Sequence, residues 1–150
     1  MSPVKTSFIR NLNRSGLGYI DAVMIGPPGA LVFRLLDSTG NLANEAAEWM
    51  RQKPDGEWVP FEGGSPTRDT VKDVESLRHY LEKRGFDVPV FGVVVFIGDE
   101  TLVSIAQKAP VVPVSHLPTF VQNMQENYLS NPERIQQAVV TRVRRLLLDE

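Results

Sequence analysis

Asp21 and Arg34 are the residues whose setting most invites chemistry, because each is the only ionisable side chain in an otherwise apolar run, residues 20–26 and 29–36. The runs flank Gly26-Pro27-Pro28-Gly29, a Pro/Gly cluster that reads as a turn between two β-prone segments. With the turn centred between Pro27 and Pro28, residues pair when their numbers sum to 55, so Ile25 faces Ala30, Val23 faces Val32 and Asp21 faces Arg34. A lone carboxylate opposite a lone guanidinium, which stays charged in a protein, is expected to form an ion pair. One carboxylate by itself is a poor site for a hard divalent cation, which needs several oxygen ligands.

The remaining candidates carry less pattern. His79 and His116 are the only histidines, far apart in sequence, and neither has the companions of a metal or triad site, so helix-surface or capping roles are expected. Arg142, Arg144 and Arg145 form a basic cluster near the end of the chain. It suits phosphate or an acidic partner, or else a solvated face complementing a helix C-terminus. Gly26 and Gly29 lack the lysine and helix start of a phosphate-binding loop. Glu45, Glu48, Glu57, Glu62 and Asp69 are scattered acids from which any rearranged metal site would have to be drawn. The absence of cysteine removes thiolate zinc sites, cysteine nucleophiles and disulfides.

These residues must be positioned by elements that the pattern specifies. Strand alternation puts Asp21, Val23, Ile25, Ala30, Val32, Arg34 and Leu36 on one hairpin face, and Ala22, Met24, Leu31, Phe33 and Leu35 on the other. Both faces are apolar, as in central strands covered on both sides. Upstream, residues 4–9 are expected to pair with the run after Gly18, with Asn11, Asn13, Ser15 and Gly16 as turn formers. Residues 41–50 have some short-helix character, but Asp55-Gly56 is a hairpin turn that makes Trp49-Met50-Arg51 and Glu57-Trp58-Val59-Pro60 partner strands and pairs Trp49 with Trp58.

Ser65 as cap, Pro66 in the first turn and Asp69 near the positive end open a helix over residues 66–84. Its apolar stripe is Val71, Val74, Leu77 and Leu81, and Gly85 ends it. Residues 88–97 read as a buried strand, so strand, helix and strand imply a crossover. Residues 101–106 suit a strand or short helix, and residues 111–114 a short edge strand held to the edge by Pro110 and Pro113. Helices are expected over residues 115–128, with Leu117, Phe120, Val121 and Met124 inward, and over 132–148, with Ile135, Ala138 or Val139, Arg142 or Val143, and Leu146 inward. Ser130 or Asn131 would cap the second, with Pro132 in its first turn.

At 150 residues the chain is expected to form one domain, residues 1–150, burying roughly 70% of its unfolded surface. A net charge of -2 provides no global field for nucleic acid, so DNA binding is not favoured and would need a local patch. No apolar run approaches the roughly 20 residues that span a bilayer, and no signal-type apolar core opens the chain. No membrane role and a cytoplasmic location are the expectations.

The order of segments IDAVMIGPPGALVF, Gly56-Glu57-Trp58, Ser65-Pro66 opening a helix, PVFGVVVFIGD and VVPVSHL resembles the nuclease-related domain, NERD, of the PD-(D/E)xK nuclease superfamily. The resemblance covers residues 18–125, with 130–150 as a C-terminal helix. Its most specific piece is Asp-any-Val-any-Ile-Gly-Pro followed by Gly and an apolar strand. It implies an α/β, restriction-endonuclease-like fold, a mixed central sheet flanked by helices. Active members of the superfamily carry an acid on one hairpin strand and Glu-any-Lys on the next, all on one face. Two carboxylates hold Mg²⁺, and metal and lysine together activate water and stabilise charge on the phosphate. In NERD relatives a Gln follows the Ser/Asn-Pro. Carried over residue by residue, the acid is Asp21, the Glu falls on Arg34, the Lys on Leu36 and the Gln on Asp69. Only Asp21 survives, as a catalytic remnant, and the family's amino-terminal helix with its Gly-Glu motif has no counterpart before Gly18.

Two functions from different classes follow. The first is a non-catalytic nuclease-fold domain serving as a binding or assembly module without a cofactor. Its partner would be an unknown protein, or itself, as a homodimer through terminal helices or an exposed edge strand. The second is a Mg²⁺-dependent DNA nuclease with relocated ligands, in which Asp21, Asp69 and an acid between residues 45 and 62 replace the lost Glu. The first is preferred, because Arg34 brings a fixed positive charge to the place of the cation and Leu36 removes the cationic catalyst. A second carboxylate reaching Asp21 would favour the nuclease; Arg34 filling that space would favour the module.

Overall fold

A computed structural model describes residues 6–62, 64–98, 101–105, 112–116 and 120–148. In chain order the elements are β1 (Ser7–Arg14), β2 (Gly18–Gly26), β3 (Gly29–Leu36), β4 (Gly40–Glu45), β5 (Glu48–Gln52), β6 (Trp58–Pro60), α1 (Pro66–Glu82), β7 (Val90–Phe96), β8 (Thr101–Ile105), β9 (Val114–His116), α2 (Phe120–Met124) and α3 (Gln137–Leu148). The second helix runs on as a π-helical turn, Gln125–Leu129. One sheet has the order β1-β2-β3-β7-β9, antiparallel from β1 to β3 and parallel from β3 to β9. The other has the order β6-β5-β4-β8. This is the expected mixed α/β architecture.

The β2–β3 register is the one that the turn dictates: Gly26↔Gly29, Ile25↔Ala30, Met24↔Leu31, Val23↔Val32 and Ala22↔Phe33. Both faces are covered. Val23, Ile25, Ala30 and Val32 join Leu77, Tyr80, Leu81, Val140, Val143 and Leu147 in one core, beneath α1 and α3. Ala22, Leu31 and Phe33 join Val93, Val95, Met124 and Tyr128 in a second. A third core, with Leu42, Trp49, Phe61, Val94 and Phe96, ties the two sheets together. Gly29 is required by its surroundings, since its φ is +136° and an added Cβ would lie 2.3 Å from the Pro89 carbonyl oxygen.

Several expectations shift for physical reasons. The strand expected over residues 4–9 is found as β1, from Ser7; residues 4 and 5 lie outside the described set. β1 continues through Asn11, at a left-handed φ of 52°, and Asn13, so of the expected turn formers only Ser15 and Gly16 lie in the reversal, residues 15–17, with Gly16 and the following Gly18 at φ 84° and 89°. Residues 41–50 form no helix: β4 and β5 make a hairpin turned at Ala46, φ 52°, and the buried Asn44 amide donates to the carbonyls of Ala46 and Glu48. The β5–β6 hairpin forms as expected, but its register sets Gln52 opposite Trp58. Trp49 is therefore buried against Phe61, ring centroids 6.4 Å apart, while Trp58 stays 41% exposed.

Ser65 caps α1, accepting from the Arg68 amide at 3.1 Å, and Gly85 at φ 85° closes the helix with the Phe86 amide donating to the Leu81 carbonyl. The inward stripe is Thr67, Thr70, Leu77, Tyr80 and Leu81, with Val74 partly buried and Val71 exposed. Threonines displace Val71 because their hydroxyls are satisfied: Thr67 accepts from Trp49 Nε1 at 2.8 Å, and Thr70 donates to the Pro66 carbonyl at 2.7 Å. The edge strand comes at β9, later than 111–114. Residues 101–105 are strand rather than helix, pairing parallel to β4. Residues 115 and 116 belong to β9, so the helix expected from 115 begins at Phe120; Leu117 lies outside the described residues. The final helix begins at Gln137, five residues late, because the Arg134 and Ile135 amides are committed to the Pro27 carbonyl at 2.9 and 3.0 Å. Its inward residues are Val140, Val143 and Leu147, leaving Ala138 and Arg142 exposed.

Candidate functional site

The open end of the β2–β3 hairpin carries the charges. The ladder stops at Ala22↔Phe33, and in place of a further backbone partner the Leu35 amide donates to Asp21 Oδ2 at 2.9 Å. Asp21 thus acts as an acceptor that finishes the hairpin. The expected Asp21–Arg34 ion pair does not form. Arg34 Nη2 instead donates to Asp73 Oδ2 at 2.8 Å and, at 3.4 Å, to the Asp69 carbonyl, both on α1.

Asp73 is not among the sequence candidates. Helix spacing alone places it on the inward-turning face of α1, three residues after Thr70 and four before Leu77, but does not name Arg34 as its partner. The pair is largely sheltered, with side-chain exposures of 26% for Arg34 and 13% for Asp73. Burial pushes the Asp73 carboxyl above the ordinary aspartate range; Arg34 pulls it back, while Asp21 and Asp69 push it up further. Leu36, which the resemblance sets at the lysine position, is half-buried against the third core. The structure therefore brings Asp21, Arg34, Asp69 and Asp73 to one place, organised by a cation that belongs to the chain.

These residues do not fit a divalent metal. A metal needs electron-pair donors, whereas the orphaned polar atom here, the buried Arg34 Nε, is an N–H donor without a partner among the described residues. Among the described residues no three His, Cys, Asp or Glu side chains converge as a metal site. Three of the acids considered as replacements are engaged elsewhere. Glu48 pairs with Arg68, Glu57 with Lys53 at 3.1 Å, and Glu62 with Arg51 at 2.8 Å, which holds the Glu62 carboxyl below its ordinary range.

The other candidates separate. His79 is exposed on α1, and His116 sits in β9 with its ring 6.0 Å from that of Phe96. The arginine cluster is divided by the helix itself. Arg142 lies over the Phe86 ring at 5.1 Å, Arg145 is exposed, and Arg144 faces a cavity beside the start of β1. Among the described residues no helix is long and apolar enough to cross a membrane.

Comparison with protein families gives one finding: the model of the nuclease-related domain, NERD, matches residues 5–97, from the start of β1 to the end of β7. The match begins earlier than the segments that carried the resemblance and includes β1. No curated protein and no solved structure matches the chain.

Proposed function

The chain belongs to the nuclease-related domain family, and from that premise we propose that it is a non-catalytic member, kept as a binding or assembly module whose partner is a protein or a second copy of itself. The observation that carries this reading is the position of Arg34. Its guanidinium stands where the family motif has a metal-binding Glu, and it is held by Asp73 at 2.8 Å. A permanent cation there repels a divalent ion and occupies the carboxylates that would bind it. Leu36 adds a second loss, since an aliphatic side chain can neither stabilise developing phosphate charge nor help activate water. Asp21 has taken on a structural task, accepting from the Leu35 amide.

The test is cleavage of single-stranded and duplex DNA with Mg²⁺ and with Mn²⁺, the parent compared with Asp21→Ala. The expected result is no cleavage by the parent above the level of the variant. Metal-dependent cleavage that Asp21→Ala abolishes would overturn the proposal in favour of a nuclease with relocated ligands.

A further inference from the structure

β1 ends the five-stranded sheet, so one of its long sides has no strand partner among the described residues. Alternation decides which backbone groups are left there. The Ala30 amide points to the β7 side, where it donates to the Pro89 carbonyl at 2.8 Å, and the Leu35 amide points to β2, where it donates to Asp21. Gly29, Leu31 and Phe33 therefore bond β2 through Gly26, Met24 and Ala22, which leaves Ile25 and Val23 to bond β1. Their partners Ser7 and Ile9 are engaged, while Phe8 and Arg10 turn amide and carbonyl outward, to the open edge.

A cavity of about 370 Å³ separates the start of this edge from α3, lined by Thr6, Ser7, Phe8, Gln137, Thr141 and Arg144. The helix runs beside β1 in the same direction. Gln137 and Thr6 share the cavity at one end, and at the other Arg14 Nε donates to the Leu147 carbonyl at 2.8 Å. The two sides of the edge differ in chemistry. On the α3 side, Gln137, Thr141 and Arg144 share one helix face at spacings of four and three, and Arg144 makes no ion pair among the described residues. On the opposite side of the sheet the Phe8 ring is 52% exposed, with the Phe33 ring behind it at 5.5 Å between centroids.

We propose that this edge takes up an extended segment of a partner protein as an added strand, with acidic side chains turned toward α3 and apolar ones toward Phe8. The outward amides and carbonyls of Phe8 and Arg10 supply the main-chain bonds, and an added strand sends alternate side chains to opposite faces, which matches the two unlike sides. Arg144 selects a carboxylate by a charge-assisted hydrogen bond, and Phe8 offers an aromatic cross-strand partner to a branched apolar residue. A second copy fits less well, because its β1, SFIRNLNR, brings two arginines and no acid to a groove that already holds Arg144. The proposal rests on the module reading and names the chemistry of the partner. Cleavage tests that reading and peptide binding tests this one, so either can fail alone.

The test is titration of the full chain with a capped peptide of alternating glutamate and valine, followed by backbone amide chemical shifts and hydrogen exchange. Two control peptides carry lysine in place of glutamate, or the first sequence with N-methylated amides. The glutamate peptide is expected to give saturable shifts at residues 6–10 and 137–144 and to slow exchange of the Phe8 and Arg10 amides. The lysine peptide should bind more weakly and the N-methylated one not at all. Arg144→Gln should lower affinity for the glutamate peptide about tenfold or more, the loss of a charge-assisted hydrogen bond. Arg145→Gln, on the same helix but outside the cavity, should leave affinity unchanged, with thermal unfolding of both variants matching the parent. No saturable shift, or equal affinity in Arg144→Gln or for either control peptide, would overturn the proposal. Shifts at residues 6–10 that grow with protein concentration in the absence of peptide would overturn it in favour of a second copy.

Discussion

The two ends of the β2–β3 hairpin are held by different physics. At the turn end space is the constraint: a Cβ on Gly26 would lie 2.7 Å from both Thr6 Cγ2 and the Tyr128 hydroxyl, and one on Gly29 would meet the Pro89 carbonyl at 2.3 Å. The buried Tyr128 hydroxyl donates to the Gly29 carbonyl at 2.8 Å, and burial pushes its pKa well above the ordinary tyrosine range. At the open end charge is the constraint, and Asp21, Arg34 and Asp73 divide a few strong contacts among three elements. A packed end tolerates no change of shape, whereas a polar end can exchange partners and still close. Under the proposed reading the polar end is the one that has lost its chemistry while the fold is kept.

The largest expected effect belongs to the packed end. Gly29→Ala should cost about 3 kcal/mol or more, from overpacking against Pro89 together with an unfavourable φ. Urea unfolding measures it, and a loss under roughly 1 kcal/mol would mean that the turn end is looser than its contacts imply. Leu77→Ala, on the helix that covers this core, should cost about 2 to 5 kcal/mol. Val71→Ala on the same helix should stay within about 0.5 kcal/mol, as usual for surface sites. Equal effects from the two would erase the distinction between the inward and outward faces of α1.

The open end should respond more mildly. Arg34→Ala leaves Asp73 sheltered without its partner and should cost about 1 to 3 kcal/mol. Replacing both, Arg34→Met with Asp73→Leu, should be less harmful than the sum of the single changes. A strictly additive cycle would show that the pair contributes nothing as a pair.

The smallest effect is one of pH. A raised carboxyl pKa means that the folded chain binds this proton more tightly than the unfolded chain. The contribution of Asp73 is therefore most favourable below its ordinary value of 3.8 and declines as the pH rises through the raised value. Asp73→Asn carries no charge at any pH, so relative to the parent it should look worst in acid and improve towards neutral pH. The opposite slope would show that attraction to Arg34 outweighs burial.

What the sequence makes legible divides along the same line. The hairpin register can be read because Pro27 and Pro28 fix the turn and alternation does the rest, so every observed pair sums to 55. The Ser65 cap and the Gly85 stop are equally local. Arg34's partner is not, since Asp73 lies 39 positions away and is chosen by how α1 crosses the sheet. The same limit explains the threonines of α1. Hydropathy ranks Val71 above Thr67 and Thr70, but Trp49 Nε1 and the Pro66 carbonyl satisfy the two hydroxyls and allow them inward. The late start of α3 has a tertiary cause too, because the Pro27 carbonyl takes the amides of Arg134 and Ile135.

The most direct test of the claim that a chain-borne cation has replaced a metal at the open end is calorimetric titration with Mn²⁺. Three proteins are compared: the parent, the motif-restored variant Arg34→Glu with Leu36→Lys, and that variant carrying Asp21→Ala as well. The account predicts no saturable binding by the parent, binding by the restored variant, and its loss when Asp21 is removed. Saturable Mn²⁺ binding by the parent that Asp21→Ala abolishes would contradict it.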